Sequence, residues 1–243
     1  MIDFTKIRDE LNMNFYNMYS LNDILIKVDK DFPMPSHCNM LIDNSNLKGK
    51  VLVIGSGMCQ EIIAMKLRKP KLDIYCIEGC QLMNKIAREL IKKAEVNIKV
   101  YESLIENHPI FDFKFDSIVI SHVIEHVDDV DDLLEYSFNN LQDNGTLFLS
   151  LPYGSCHNSS EHKHFFLVDN KEFKEVNDME IKGKTKEEII YLNSILLAHK
   201  LKGKITIFDE EKVNLGHKDY KYSTLKNQLD IFCVVKKIRE NNE

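Results

Sequence analysis

The sequence predicts an α/β fold: a doubly wound, mostly parallel sheet of seven strands, ending in an antiparallel strand pair and preceded by an N-terminal helical cap. Three observations carry this. Apolar runs of strand length begin at residue 48, strand and helix patterns then alternate for about a hundred residues, and the last two strand patterns follow each other without a convincing helix between them.

The cap comes first. Phe4, Ile7, Leu11, Phe15 and Met18, then Ile24, Leu25 and Val28, recur mostly at spacings of three and four, as one helix face requires. Two prolines in DFPMPSH break the pattern, so residues 29–36 read as a linker into a further short helix. Residues 1–47 therefore form the cap and linker, and 48–243 the main domain. In the main domain KVLVIG is a continuous apolar run closing on glycine, the mark of a strand buried on both faces. A helix over Glu61–Arg68, strand LDIYCIE, a helix over Gln81–Ala94, strands NIKVYE and FDSIVIS, a helix over Val130–Leu141 and strand GTLFLSLP follow. This rhythm gives βαβ units with right-handed crossovers. After Pro152 comes a polar, His-rich loop, YGSCHNSSEHKHFF, within a loop region of about 152–185. A long helix over Lys186–Leu201 is expected next, then strands GKITIFDE and LDIFCVVKKI as an antiparallel pair at one sheet edge.

Composition narrows the function classes. At 243 residues and 44% hydrophobic content, the chain can bury one substantial core but is short for two enzyme domains. Its net charge of -6, with both signs interspersed, provides no basic stripe for a phosphate backbone, which argues against nucleic acid as partner. The six cysteines are scattered without a C-x-x-C pair, and the N-terminus lacks the apolar run of a signal peptide or membrane span. A cytoplasmic location is expected, and nothing sets the oligomeric state.

Strand VLVIG runs directly into Gly55-Ser56-Gly57 and a helix, which puts glycine where backbone must turn sharply or approach a ligand closely. A tight turn needs such glycines even when it binds nothing. Gln60 stands where the dinucleotide fingerprint has its third glycine, and no G-x-x-x-x-G-K-[ST] occurs. Strand LDIYCIE ends in Glu78, placed to accept hydrogen bonds from ribose hydroxyls, or else simply solvated at a strand end.

VLVIGSGMCQ, IYCIEGC, FDSIVISHVIEHVDDVDDLL and LQDNGTLFLSLPYG, in this order and spacing, resemble the successive motifs of class I S-adenosylmethionine (SAM)-dependent methyltransferases of the ubiquinone-biosynthesis and sugar- or glycan-methylating type. The likeness covers about residues 48–170. It implies SAM as cofactor, leaving as S-adenosylhomocysteine. Gly55, Ser56 and Gly57 would lie beside its aminoacyl part, Glu78 and Gly79 at the ribose, and Ser103 and Leu104 near the adenine. Ser121 and His122 would line the methionine end and the transfer site. Where the family often has a third glycine, this sequence has Cys59.

SAM carries its own leaving group, so the protein must chiefly align the acceptor and exclude water, adding a base where the acceptor has to lose a proton. His122, Glu125 and His126, just after FDSIVIS, stand where the family places acceptor-facing residues; His126 has packing against the next turn as its structural alternative. As text, H-V-I-E-H also fits the inverted zinc-protease string, which requires both histidines on one helix. A second group, His157, Glu161, His162 and His164, lies in the loop whose EHKHFF segment resembles one covering the acceptor in cell-surface-modifying methyltransferases. Its spacing fits no standard zinc pattern, so no metal is expected. Catalytic candidates are thus His126, His122, Glu125 and His164. Tyr16, Tyr19 and His37 are candidates to close over the site, with core packing as the alternative for the tyrosines. The acceptor expected is an oxygen, less readily a nitrogen, of a small molecule, a sugar, or a nucleotide-linked glycan or capsule precursor. The competing readings are a nicotinamide-dependent oxidoreductase or epimerase on a similar sheet, and a catalytically silent SAM-binding subunit that docks through residues 1–28.

Overall fold

The computed structural model describes residues 28–154, 162–168, 189–209 and 229–238. The expected N-terminal helix, Tyr16, Tyr19, His157 and Glu161 lie outside these residues. In chain order the elements are α1 (Ser36–Asp43), β1 (Lys50–Ile54), α2 (Gln60–Arg68), β2 (Asp73–Glu78), α3 (Gln81–Lys93), β3 (Ile98–Glu102) and a 3-10 turn (Ile105–Asn107). Then follow β4 (Phe115–Ser121), α4 (Val130–Asn140), β5 (Leu141–Pro152), β6 (Phe165–Leu167), β7 (Ile189–Tyr191), α5 (Leu192–Ala198), β8 (Leu201–Asp209) and β9 (Leu229–Lys237). Seven strands form one sheet in the order β3-β2-β1-β4-β5-β9-β8. β9 pairs antiparallel with both β5 and β8, as the sequence predicts for the final pair.

The described residues up to 110 form one compact unit and those from 111 onward another. In the first, β1, β2 and β3 pair in parallel register, Val51 opposite Ile74 and Ile74 opposite Ile98. Val51–Ile54 and Ile74–Ile77 are buried without alternation, which is why their sequences read as unbroken apolar runs. Ile63, Ala64 and Met65 of α2 and Ile86, Ala87 and Leu90 of α3 bury the helix faces that an amphipathic period provides. The linker is tied down by Arg68, whose guanidinium donates to the Lys30 and Phe32 carbonyls at 2.7 Å each and to the Asn39 side-chain carbonyl at 3.2 Å.

In the second unit β4 runs parallel to β5, with Ile118 opposite Leu147. β5 begins earlier than expected, at Leu141 opposite Phe115. The exposed Gln142-Asp143-Asn144 stretch then bulges out before pairing resumes at Thr146. The expected helix over 186–201 is corrected. Its described part is the three-residue strand β7 followed by the seven-residue α5. Ile189, Ile190 and Tyr191 pair in parallel with Phe165, Phe166 and Leu167 as a separate two-stranded sheet. β-branched and aromatic side chains suit that arrangement better than a helix surface. Among the described residues, no helix is long and apolar enough to cross a membrane.

Candidate cofactor loop and histidine cluster

In the first unit, the candidate cofactor residues gather at the carboxyl ends of β1 and β2. Gly55 and Gly57 have φ of 70° and 52°, the left-handed region that glycine enters without steric cost. The amides of Gly55 and Ser56 donate to the Ile77 carbonyl at 2.9 and 3.3 Å. Gly57 N–H donates to one Glu78 oxygen and Cys80 N–H to the other, both at 2.8 Å. Glu78 therefore clamps the glycine loop from the neighbouring strand end. A Cβ placed on Gly57 would meet nothing within 4 Å, so the loop borders open space. A Cβ on Gly79 would lie 2.4 Å from Leu104 Cδ2, so this glycine lets Leu104 close against the turn. Ser103 N–H donates to the Glu78 carbonyl at 3.1 Å, which joins the proposed adenine-side pair to the same strand end.

Cys59 shows what the absent third glycine would have done. It sits at φ 62°, in the left-handed region, at the cap position of α2. Its thiol is fully buried, 4.0 Å from Cys76 Sγ. Burial first, and the adjoining Cys59 second, push the Cys76 thiol well up. Asn84 was not singled out by sequence. It is fully buried on α3 and donates to the Glu78 and Cys80 carbonyls at 2.7 and 2.9 Å, fixing the peptide that carries the clamp. An amide on the apolar spacing of α3, three positions before Ala87 and seven before Ile91, is the signal that could have found it.

In the second unit, β4 ends at Ser121 and the chain turns through His122, another non-glycine residue in the left-handed region, φ 51°. Its amide donates to the Ser150 carbonyl at 2.8 Å. The imidazole lies between two buried carboxylates: Nδ1 is 3.5 Å from Glu125 Oε1 and Nε2 is 3.3 Å from Asp230 Oδ2. Burial alone would lower its pKa, but the Asp230 and Glu125 carboxylates outweigh this and push it up to about 10. At neutral pH His122 is therefore an imidazolium, a hydrogen-bond donor. Asp230 is the site residue that sequence reasoning missed, although a lone charge inside the apolar run LDIFCVV was its signal.

The described members of the two histidine groups of the sequence come together here. The amides of Lys163 and His164 donate to the Glu125 carbonyl at 2.8 and 3.3 Å, and Lys163 also pairs with Asp128. His164 Nε2 lies 3.1 Å from the Val127 carbonyl oxygen, so it carries the proton and leaves Nδ1 as an acceptor. The His126 and His162 rings meet edge to face at 4.8 Å. His126 Nε2 is 3.8 Å from Glu125 Oε1. His37 lies on α1 in the first unit.

The profile of a family described as methyltransferase domain matches residues 52–149. These residues are similar to that family, and the sheet order above is that of the class I methyltransferase fold. No curated protein matches the chain by sequence. Among solved structures, the chain is similar to the YcgJ protein of Bacillus subtilis, at 14% identity and TM-score 0.56, over 84% of this chain and 99% of that one. It is also similar to an O-methyltransferase family protein of Burkholderia thailandensis, at 8% identity and TM-score 0.52, over 84% and 56%. A candidate sarcosine dimethylglycine methyltransferase of Galdieria sulphuraria matches at 18% identity and TM-score 0.49, over 65% and 56%. The chain thus spans little more than half the length of the last two, and identities this low establish the shared fold alone.

Proposed function

We propose that this chain binds SAM and transfers its methyl group to an oxygen, less readily a nitrogen, of a small molecule, sugar or glycan precursor. The observation that carries the reading is the Gly55-Ser56-Gly57 loop clamped by Glu78 beside open space. That arrangement fits a nucleoside with a polar tail. Gly55, Ser56 and Gly57 leave room for the aminoacyl part, Glu78 keeps carboxylate lone pairs for ribose hydroxyls, and Ser103 and Leu104 flank the base. When bound, SAM supplies an electrophilic methyl on a sulfonium leaving group. The chain's task is then orientation and proton management. Ser121 offers a hydroxyl at the end of β4, while the His122 imidazolium, turned to Glu125 and Asp230, fixes the turn that follows. Of the two further histidine candidates for the base, His126 keeps its imidazole about one-third exposed, whereas His164, with Nε2 on the Val127 carbonyl and Nδ1 buried, serves to position the turn.

Isothermal titration of the full chain with SAM and with S-adenosylhomocysteine tests the foundation. Micromolar binding is expected, and no heat up to millimolar ligand would refute it. A thermal-shift comparison with NAD separates the nicotinamide reading, which Gln60 already disfavours. Methyl transfer by the isolated chain separates the silent-subunit reading.

A further inference from the structure

The geometry points to a divalent transition-metal site formed by Glu125, His126 and His162 in the second unit. One donor atom from each of these side chains lies within 4.8 Å of the other two. Tetrahedral zinc ligands at about 2.0–2.2 Å from the ion stand roughly 3.3 Å apart, so closure requires movements of about an ångström. His126 Nε2 and Glu125 Oε1, at 3.8 Å, are already near that spacing.

Three features favour an ion here over a polar surface cluster. The Glu125 side chain is only 2% exposed, and its carboxylate meets imidazole nitrogens at long range, His122 at 3.5 Å and His126 at 3.8 Å, with no hydrogen bond of normal length to either oxygen. The same carboxylate faces His122 at 3.5 Å, the kind of outer contact that orients a metal-ligating carboxylate. The backbone supplies preorganisation: Lys163 and His164 hang from the Glu125 carbonyl, which holds His162 beside the turn carrying the other two ligands. Glu125 and His126 are neighbours in sequence on a turn, and His162 arrives 36 residues later, a spacing that no linear zinc pattern describes.

Two imidazoles and one carboxylate suit zinc, cobalt, manganese or iron, and are poorly suited to magnesium or calcium, which prefer all-oxygen shells. Three protein ligands leave coordination positions open. On the methyl-transfer reading above, on which this role rests, the ion takes the place of a His126 base: an acceptor hydroxyl bound at such a position gives up its proton to water more readily and becomes the better nucleophile.

The test uses the full-length chain, stripped with EDTA and titrated with cobalt(II) alone, without SAM. One equivalent is expected to bind, with visible absorption bands showing nitrogen and oxygen ligation at low coordination number. His126→Ala and His162→Ala each replace a partly exposed side chain, and circular dichroism checks that they fold. Each should weaken cobalt binding at least about 100-fold, while titration with S-adenosylhomocysteine stays as in the wild type. Cobalt binding that is absent up to millimolar concentration, or equal in wild type and both variants, overturns the site. Loss of nucleoside binding with intact cobalt binding would instead overturn the methyltransferase reading and leave the metal site standing.

Discussion

Replacing Glu78 by Ala removes two charge-assisted hydrogen bonds of 2.8 Å, from Gly57 N–H and Cys80 N–H, and with them the link between the β1 and β2 ends. Bonds to a charged group contribute about 1.5–3 kcal/mol each, and water reaching a half-buried carboxylate and the freed amides reduces the sum to roughly 2–3 kcal/mol. In a chain of this size that is a fall in Tm of about 5–10 °C. Affinity for S-adenosylhomocysteine should drop by a further 1–3 kcal/mol, about 5- to 150-fold, from lost ribose contacts and a loosened glycine loop. Glu78→Gln is the sharper probe. Its amide can turn one oxygen to one N–H, but its NH2 then faces the other donor, so it should recover less than half of the loss. Differential scanning calorimetry and isothermal titration read the two effects separately. Wild-type Tm and affinity in Glu78→Ala would refute both the clamp and its role in nucleoside binding.

Gly203→Ala should destabilise the edge strand β8, because the new Cβ would lie 2.0 Å from the Val234 carbonyl oxygen and 2.7 Å from Val235 Cα, backbone atoms that no rotamer change can move. A loss of more than about 2 kcal/mol in urea denaturation is expected, and an unchanged midpoint would contradict the β8–β9 register. Asp73 has a lowered pKa: burial works against this, but Lys99 at 2.9 Å and Tyr75 outweigh it. A lowered carboxylate pKa stabilises the fold above the unfolded value of 3.8 and loses that contribution as pH falls through the folded value. Both partners are two-fifths exposed, so Lys99→Ala should cost under about 1 kcal/mol at neutral pH and less still below pH 3, as acid and urea titrations would show. Cys76 and Cys233 carry thiols that burial keeps protonated, so mass spectrometry after brief alkylation at pH 8 should find both unmodified in the native chain and modified in urea.

The parallel core was readable because strands covered on both faces leave an unbroken apolar run, and β1, β2 and β4 fall within a residue of expectation. The region around 189–198 was misread because the tertiary partner of Ile189–Tyr191 is a strand some two dozen residues earlier, and three-residue strands carry no period of their own. The placement of Glu78 at the end of β2 and of His122 just past β4 was legible from the apolar runs before them. Asp230 was overlooked because its significance lies in the imidazole it faces, more than a hundred positions away. Likewise the sequence separated two histidine groups that chain reversal makes one.

The attachment of the His162–His164 stretch to the Glu125 carbonyl runs through backbone amides. That part of the anchorage is indifferent to the side chains, provided none is proline, whereas the Lys163–Asp128 pair and the His164–Val127 contact are not. Of the three positions, His162 is thus the one where a substitution leaves each of these attachments in place.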